Sequence, residues 1–264
     1  MKHIGVALSG SGFLAGAEAG AICALLEHNA VIEDVAGTSG GSIVTACTAL
    51  GFTAPQLRQL AFSTDFSPFL TFNPWTLVTS GSYCSGNALL AWLEKQTQDK
   101  TLGETQIPCH IIASDVLNDA AAVFSSHLTP SVKAAFACRA SSSVPFIFEK
   151  VAYKDTFLVD GGVKNNIPVK YLTKHDNKLN VGFRVTTKDA NFASPPWKLA
   201  GTLIGMMLDA NEDSTVMLGE STGAVVIPID LGDAWFLNTK LTQQQKESIF
   251  NAGYAAGLRA LHLL

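Results

Sequence analysis

The sequence has no excess of basic residues. It carries 18 Lys and Arg against 22 Asp and Glu, which gives a formal net charge of −4 at pH 7, and Lys and Arg do not cluster anywhere along the chain. Proteins that hold nucleic acids electrostatically need a basic patch, because much of their affinity comes from neutralising phosphates. The composition therefore argues against a nucleic-acid-binding protein.

Long hydrophobic runs are missing as well. Gly, Ser or a charged residue interrupts each apolar stretch before it reaches about 18 residues, the least that a membrane-spanning helix needs. No signal-peptide pattern opens the chain, since only Lys2 and His3 precede the first apolar stretch, which Gly residues and Glu18 then break. We expect a cytoplasmic protein in which any contact with a membrane is peripheral.

Cysteine is scarce and scattered. The five cysteines are odd in number and form no C-x-x-C pair. Disulfide frameworks use even numbers of cysteines, and zinc sites use closely spaced pairs, so neither is indicated. We expect reduced, mostly buried thiols, no metal site and no cofactor.

What the chain does have is apolar material in a regular order. Hydrophobic residues make up 47% of the 264 residues and charged residues only 15%, which is enough for a sizeable core in one domain, residues 1–264. Strand-like and helix-like apolar patterns alternate along the chain, which is typical of an α/β fold with a mostly parallel sheet covered by helices.

These patterns predict a specific order of elements. Strands are expected at residues 3–8, 34–37, 108–115, 121–125, 155–159, 179–185 and 225–229. Helices are expected at residues 13–28, 43–50, 87–98, 132–141, 197–209 and 243–263. The aromatic-rich segment 55–85 is predicted to be irregular, because Pro68 and Pro74 act as breakers within it.

The segment Gly37-Thr38-Ser39-Gly40-Gly41 fits the G-x-S-x-G pattern of a nucleophilic serine. Such a serine occupies a strained turn between a strand and a helix, and the residues two positions away on either side must be small because they face each other. The amino end of the helix also directs amide groups toward the reacting oxygen. A glycine-rich structural turn capped by Ser39 or Ser42 would have a similar sequence, so that alternative stays open.

A second glycine-rich turn, residues 10–15, follows the first predicted strand and admits three interpretations. It fits the dinucleotide fingerprint G-x-G-x-x-A, and Glu33 and Asp34 lie about 20 residues further on, where a ribose-binding acid is expected. Those acids, however, precede the second predicted strand instead of ending it. The amides of Gly10, Ser11 and Gly12 could instead form an oxyanion hole. The third interpretation is simple packing of a strand against a helix.

The histidines do not complete a catalytic triad. Asp160 is a candidate acid, because it ends a predicted strand where α/β sheets place their ligands, although an aspartate that merely closes a turn would look the same. A histidine should follow the acid in the α/β-hydrolase order. Only His175, in a charged segment typical of a solvated turn, and His262, two residues from the end, do so.

Together, these motifs resemble the patatin-like phospholipase family. Residues 8–14 are similar to its oxyanion loop, residues 37–42 to its nucleophile turn and residues 160–168 to its Asp-Gly-Gly block. Residues 139–145 and 244–255 are similar to the end of the helix before the acid and to the C-terminal helix. Many members carry three successive glycines followed by a basic residue and a glycine, whereas here Ser11 interrupts the run.

The resemblance implies a three-layer α/β/α fold with a mostly parallel central sheet. It also implies a serine lipid acyl hydrolase in which Ser39 and Asp160 form a catalytic dyad that needs no histidine. The backbone of Gly10, Ser11, Gly12 and Gly40 would form the oxyanion hole. Phospholipids or other acyl lipids are the implied substrates.

The substrate pocket is less well defined by the sequence. Phe69, Phe72 and Trp75 in the aromatic segment, and Met206 in the helix predicted at residues 197–209, are candidates for an acyl pocket or lid, but ordinary packing explains them equally well. Three alternative functions also stay open. The first is a carboxylesterase or thioesterase for small acyl groups, and the second is a non-enzymatic protein that binds a dinucleotide or a partner. The third is an enzyme that transfers the acyl group to an acceptor other than water.

Overall fold

In the part of the chain that the structure describes, eight strands form one mixed sheet at the centre of the protein. The computed structural model describes residues 2–175, 177–188 and 223–263. The strands are β1 (Lys2–Leu8), β2 (Ala30–Thr38), β3 (Cys109–Asp115), β4 (Ala120–Ser125), β5 (Val151–Tyr153), β6 (Thr156–Asp160), β7 (Lys178–Thr186) and β8 (Val225–Asp230). The helices are α1 (Gly16–Glu27), α2 (Gly40–Ala49), α3 (Ala54–Ser63), α4 (Pro74–Ser80), α5 (Asn87–Thr97), α6 (Ala134–Ser141) and α7 (Gln243–Leu263).

The sheet is parallel at its centre and antiparallel at one edge. Its order is β5-β6-β3-β2-β1-β7-β8, with β4 also paired to β3. Strands β3, β2, β1, β7 and β8 run parallel, whereas β4, β5 and β6 join by antiparallel pairing. The expected largely parallel sheet is confirmed, and the carboxyl ends of β1 and β2 lie side by side as a result.

Successive residues of the central strands face opposite sides of the sheet, as the pleat requires. Val6 and Leu8 belong to the large core that α1 and its neighbouring helices cover, whereas Ala7 belongs to a smaller cluster on the other face. Ile167, Val169 and Leu172 cover that second face within the described residues. The helix predicted at residues 197–209 lies outside the described residues.

Helix α1 is buried on nearly all sides, from Ala17 to Leu25, as expected for a helix that is apolar all round. Its close contact with α7 depends on glycines, among them Gly20 and Gly253. A Cβ atom on Gly20 would overlap the Phe250 carbonyl, and one on Gly253 would overlap the Ala17 carbonyl. The two helices therefore approach each other at backbone distance, which fixes α1 against the sheet.

The segment predicted to be irregular contains two helices, α3 and α4. Pro55 and Pro74 lie in the first turns of these helices, where the missing amide hydrogen is not needed. Thr53 and Gln56 form a capping box at α3, and the Asn73 side chain accepts from the first turn of α4. The prediction of irregular structure was wrong, because Pro74, interpreted as a breaker, begins a helix, and Pro55 begins another.

Strand β2 begins four residues before its predicted start, so Glu33 and Asp34 lie within the strand. Its pairing with β1 starts at Lys2 opposite Ala30, and this ladder carries the strand through polar residues. Strand β5 was also missed. It is a three-residue partner of β6 whose sequence is too short to show a periodic pattern.

All five cysteines are unpaired and buried, as expected. Within the described ranges, no helix combines the length and the apolar character that crossing a membrane requires.

Candidate active site

Ser39 lies at the tight turn between β2 and α2. Its backbone has φ 51° and ψ −125°, a conformation that residues other than glycine rarely adopt. Such strain costs about 1–3 kcal/mol and persists only where the surroundings enforce it. The side chain is also nearly buried. The strained turn predicted from the G-x-S-x-G pattern is therefore present at Ser39.

Hydrogen bonds on both sides hold this strained backbone. The Ser39 amide donates to Ser141 Oγ at 2.8 Å, and that hydroxyl donates to the Ile112 carbonyl at 2.5 Å. The Ser42 amide and hydroxyl both donate to the Ser39 carbonyl, at 3.0 and 2.6 Å. No sequence pattern singled out Ser141, which lies 102 residues from Ser39.

The glycines around Ser39 allow the turn to close. A Cβ atom on Gly37 would lie 2.7 Å from the Gly41 carbonyl oxygen, so the two positions face each other as the motif requires. A Cβ on Gly40 would lie 2.6 Å from Ser11 Oγ and 2.9 Å from the Gly12 amide nitrogen. A larger residue at Gly37 would collide with α2, and one at Gly40 would push the turn away from the loop after β1.

Asp160 ends β6 and is almost completely buried. Its Oδ1 accepts from the Gly162 amide at 2.8 Å, and its own amide donates to the Ser143 carbonyl at 2.9 Å. Gly161 packs beside β2, since a Cβ there would lie 2.9 Å from Thr38 Cγ2. The structure thus brings Asp160 next to the turn at Ser39, although the two residues are 121 positions apart in the sequence.

Burial raises the pKa of Asp160 to about 6, and the Ser39 hydroxyl and the Gly162 amide only partly oppose this rise. The second carboxylate oxygen, Oδ2, has no hydrogen bond of normal geometry among the described residues. Ser39 is therefore close enough to affect the carboxylate without forming a well-aligned hydrogen bond to it. Catalytic hydrogen bonds are often long or poorly aligned until a substrate binds.

The loop after β1 presents backbone amides beside this pair. In the part of the chain that is described, the amides of Ser11, Gly12 and Gly40 have no acceptor. Gly12 has φ +56°, which glycine adopts without strain. The prediction for Gly10 needs correction, because its amide already donates to Asn166, at 2.9 Å to Oδ1 and 3.3 Å to the carbonyl.

The Asp-Gly-Gly block also supports the loops structurally. Asn166 holds Gly10 through those bonds, and the Asn165 carbonyl accepts from Thr38 Oγ1 at 2.9 Å. One short segment thereby ties the loop after β1 to the end of β2. The adjacent asparagines in the sequence were the only signal of this role.

An apolar cavity adjoins Ser39. Its wall includes Gly12, Ser39 and Gly40, and the remainder is almost entirely apolar. Of the four residues predicted for an acyl pocket, Phe69 lines this cavity. Phe72 and Trp75 do not line it, and they are 47% and 73% exposed because they belong to the outer part of this region. Met206 lies outside the described residues.

Several cavity residues were not identified from the sequence. They come from helix faces that read as ordinary core. These residues are Ala15, Gly16, Ala19, Ile43, Val44, Leu60, Ala61, Leu89 and Trp92. The small residues on the first turns of α1 were a possible signal, since they leave room where a helix approaches the turn.

Several charged side chains elsewhere form ion pairs with one another, at a distance from Ser39. His175 Nε2 lies 2.6 Å from Glu33 Oε2, and Lys178 pairs with buried Asp34. Glu33 and Asp34 lie in the first half of β2, whereas Ser39 follows its carboxyl end. No histidine lines the cavity among the described residues, and these residues contain no group of three or more His, Cys, Asp or Glu suited to a metal ion.

Comparisons with known proteins agree with this architecture. A family model described as patatin-like phospholipase matches residues 6–173. The uncharacterized protein YqhO of Bacillus subtilis (strain 168) is 28% identical over 280 residues, which cover 95% of each chain. A probable lipid hydrolase, 463L of Invertebrate iridescent virus 6, is 25% identical over 164 residues, 56% of each chain.

A solved structure shares the fold. The crystal structure of VipD from Legionella pneumophila superposes with a TM-score of 0.65 at 16% sequence identity, covering 99% of this chain and 67% of VipD. At this level of identity the likeness concerns the fold alone. It supports a mixed α/β architecture built on a central, largely parallel sheet.

Proposed function

The chain belongs to the patatin-like phospholipase family and is a hydrolase of ester bonds, and we propose that it is a serine lipid acyl hydrolase with a catalytic dyad of Ser39 and Asp160. The observation that carries the proposal is the strained Ser39 turn beside a buried carboxylate and an apolar cavity. We further propose that residues 1–264 act as one catalytic domain, because β1 through α7 pack around one sheet.

In the first half of the reaction, Ser39 Oγ attacks the ester carbonyl and its proton passes to Asp160. The tetrahedral intermediate then collapses, the bond to the leaving alcohol breaks, and Asp160 returns the proton to the alcohol oxygen. An ordinary aspartate is a weak base for this step. Burial brings the pKa of Asp160 to about 6, closer to the operating pH, while leaving it mostly ionised at neutral pH.

The second half releases the acyl group. Asp160 removes a proton from water, the resulting hydroxide attacks the acyl-Ser39 carbonyl, and the bond to Ser39 breaks as the proton returns to Oγ. The amides of Ser11, Gly12 and Gly40 stabilise the negative oxygen in both halves. Losing one such donor typically costs about 3 kcal/mol of transition-state stabilisation.

The apolar lining of the cavity supports the proposal that the group transferred to Ser39 is an apolar acyl chain. Besides Ser39, its polar lining side chains are those of Thr64 and Ser142, and Thr64 already donates to the Leu60 carbonyl at 2.6 Å. Apolar walls bind hydrocarbon because its burial contributes about 25 cal/mol per Å². This favours a lipid acyl chain over the small acyl groups of the alternative esterase or thioesterase.

The dinucleotide alternative has less support. Of the two acids expected to bind the ribose, Asp34 is buried, and its carboxylate is occupied by Lys178 and by the amide and hydroxyl of Thr173. The other acid, Glu33, is paired with His3 and His175. A bound ribose would have to displace this network.

We also propose a peripheral lipid-facing surface next to the cavity. Residues 66–93 contain no charged side chain. Trp75 and Val78 on α4 are 73% and 82% exposed, and Phe146 is 66% exposed. Val144 and Phe148, on either side of Phe146, line the cavity. An uncharged apolar face at this position suits a zwitterionic or neutral lipid surface, from which an acyl chain would enter.

The central test is labelling with a fluorophosphonate, read out by intact mass, on the wild type beside Ser39→Ala. We expect a single adduct on the wild type and none on the variant. A folded wild type that stays unlabelled, both in solution and with phosphatidylcholine vesicles, would overturn the proposal in favour of a binding protein.

Substrate class is tested with ester substrates of increasing acyl length. We expect kcat/KM to rise with chain length, because each added methylene is buried in the cavity. A maximum at two to four carbons, about the size of a small ester, would favour the small-acyl alternative. Val78→Asp should lower activity on phosphatidylcholine vesicles while leaving hydrolysis of a soluble ester unchanged.

A further inference from the structure

Glu18 is a buried carboxyl group that the proposed mechanism does not use. It is the third residue of α1, and its side chain is completely buried. The described residues include no cation paired with it. Burial raises the pKa of Glu18 well above its usual range, and its hydrogen bonds only partly offset this. A carboxyl group in such a place needs an explanation, because apolar residues occupy the rest of this buried helix surface.

The position of the carboxyl group connects both halves of the active site. Glu18 Oε2 accepts from Ser11 Oγ at 2.6 Å. Its Oε1 has no hydrogen-bond partner among the described residues and faces the first turn of α2, since a Cβ on Gly41 would lie 2.8 Å from it. One side chain thus contacts the loop after β1 and the helix that follows Ser39.

The Ser11 side chain extends this contact to the amides themselves. Its hydroxyl lies beside Gly40, where a Cβ would be only 2.6 Å away. The amides of Ser11 and Gly12 belong to the same turn as this hydroxyl. Hydrogen-bond donors at an oxyanion act strongly only when they are held in place before the reaction.

We propose that Glu18 is a positioning residue whose carboxyl group holds Ser11, and through it the amides of Ser11 and Gly12, against the first turn of α2. The inference rests on the proposed function, because it concerns the oxyanion donors of the same reaction. Glu18 does not contact the substrate in this proposal, and it acts only through Ser11.

The proposal predicts a particular pattern among variants. Glu18→Gln keeps an oxygen that accepts from Ser11 Oγ and should stay within about threefold of wild-type kcat. Glu18→Leu keeps the volume but removes the acceptor, so we expect kcat on a soluble ester to fall about 10- to 100-fold, with KM little changed. Ser11→Ala removes the same bond from its other end and should give a similar loss.

The double variant separates this bond from unrelated effects. If both side chains act through one hydrogen bond, Glu18→Leu combined with Ser11→Ala should be no slower than the worse single variant. Cys23→Ala, on the same helix, is the matched control. It removes a buried thiol that donates to the Ala54 carbonyl, and we expect it to lower the melting temperature without lowering kcat.

The experiment measures kcat, KM, the melting temperature and the rate of fluorophosphonate labelling for these five proteins and the wild type. The labelling rate should fall with kcat in Glu18→Leu and recover in Glu18→Gln. Equal labelling rates in a reactive wild type and in folded Glu18→Leu would overturn this inference alone. A wild type without reactive Ser39 would overturn the proposed function, and this inference with it.

Discussion

Replacing Asp160 with asparagine should abolish turnover and at the same time stabilise the protein. The asparagine side chain would be uncharged and nearly the same shape, so it could still accept from the Gly162 amide. The ionised aspartate, in contrast, is buried, and among the described residues the groups that stabilise its charge are that amide and Ser39. Removing the charge therefore removes a desolvation cost from the folded protein.

The size of this effect follows from the pKa. The carboxyl group titrates at 3.8 in the reference state and at about 6 in the folded protein. A rise of roughly two units at 1.36 kcal/mol per unit corresponds to about 3 kcal/mol of lost stability when Asp160 is fully ionised. Asp160 is fully buried, so solvent screening does not reduce this figure greatly.

The raised pKa also defines the direction in which the stability of the folded protein changes with pH. Because folding raises this pKa, the folded protein binds a proton more readily than the unfolded chain, and the destabilisation grows as pH rises from about 4 to 6. We expect Asp160→Asn to exceed the wild type by about 3 kcal/mol at pH 8 and by about half of that at pH 5. At pH 8 this would raise the melting temperature by about 5–10 °C.

The assay is thermal and denaturant unfolding at pH 5 and pH 8, together with ester hydrolysis. Asp233→Asn, at an exposed position, is the control and should change stability by less than about 0.5 kcal/mol. A variant no more stable than the wild type at pH 8, or equally stabilised at both pH values, would refute the reasoning about burial. Wild-type-like hydrolysis by folded Asp160→Asn would refute the dyad itself.

Three further predictions concern the same site. Ser141→Ala leaves the Ser39 amide and the Ile112 carbonyl without their partner, so we expect the free energy of unfolding to fall by about 2–4 kcal/mol and kcat to fall strongly. The stability control is Ser142→Ala, because the Ser142 hydroxyl has no partner among the described residues. An equal loss of stability in both variants would contradict the role assigned to Ser141. Ala19→Leu should fill the cavity and lower kcat/KM for long acyl chains more than for short ones, whereas a uniform change would place the chain elsewhere. The pH profile of kcat/KM should rise through about pH 6, because Asp160 must be ionised to accept the proton; a flat profile between pH 5 and 7 would argue against Asp160 as the base.

Helices α3 and α4 lie in the segment that the sequence predicted to be irregular. Pro74 was interpreted as a breaker, but it stands in the first turn of α4, which Asn73 caps, and Pro55 stands in the first turn of α3 after Thr53. Proline is compatible with either role, and the capping partners decide between them. The early start of β2 has a related cause, since pairing with β1 extends a strand beyond its apolar residues.

For the loop after β1 and the cavity, the sequence likewise indicated only part of the arrangement. The glycine pattern indicated where Ser11 and Gly12 would lie, but only the tertiary structure showed that the Gly10 amide is occupied by Asn166, 156 residues away. Phe69 was identified as a cavity residue, whereas Phe72 and Trp75 lie outside the cavity. Aromatic residues close together in sequence can face a cavity or the surface, and backbone direction decides which.

The sequence by itself determined the features that depend on local order. The alternation of apolar patterns predicted the sheet and its helices, and the G-x-S-x-G pattern predicted a tight turn at Ser39, because period and glycine content act within a few residues. The tertiary structure decided the rest. The burial that shifts the pKa of Asp160, the support of Ser39 by Ser141 and the contact of Glu18 with Ser11 and α2 all depend on segments that meet only when the sheet assembles. Desolvation and hydrogen bonding depend on neighbours in space, and one sequence pattern is compatible with many such neighbours.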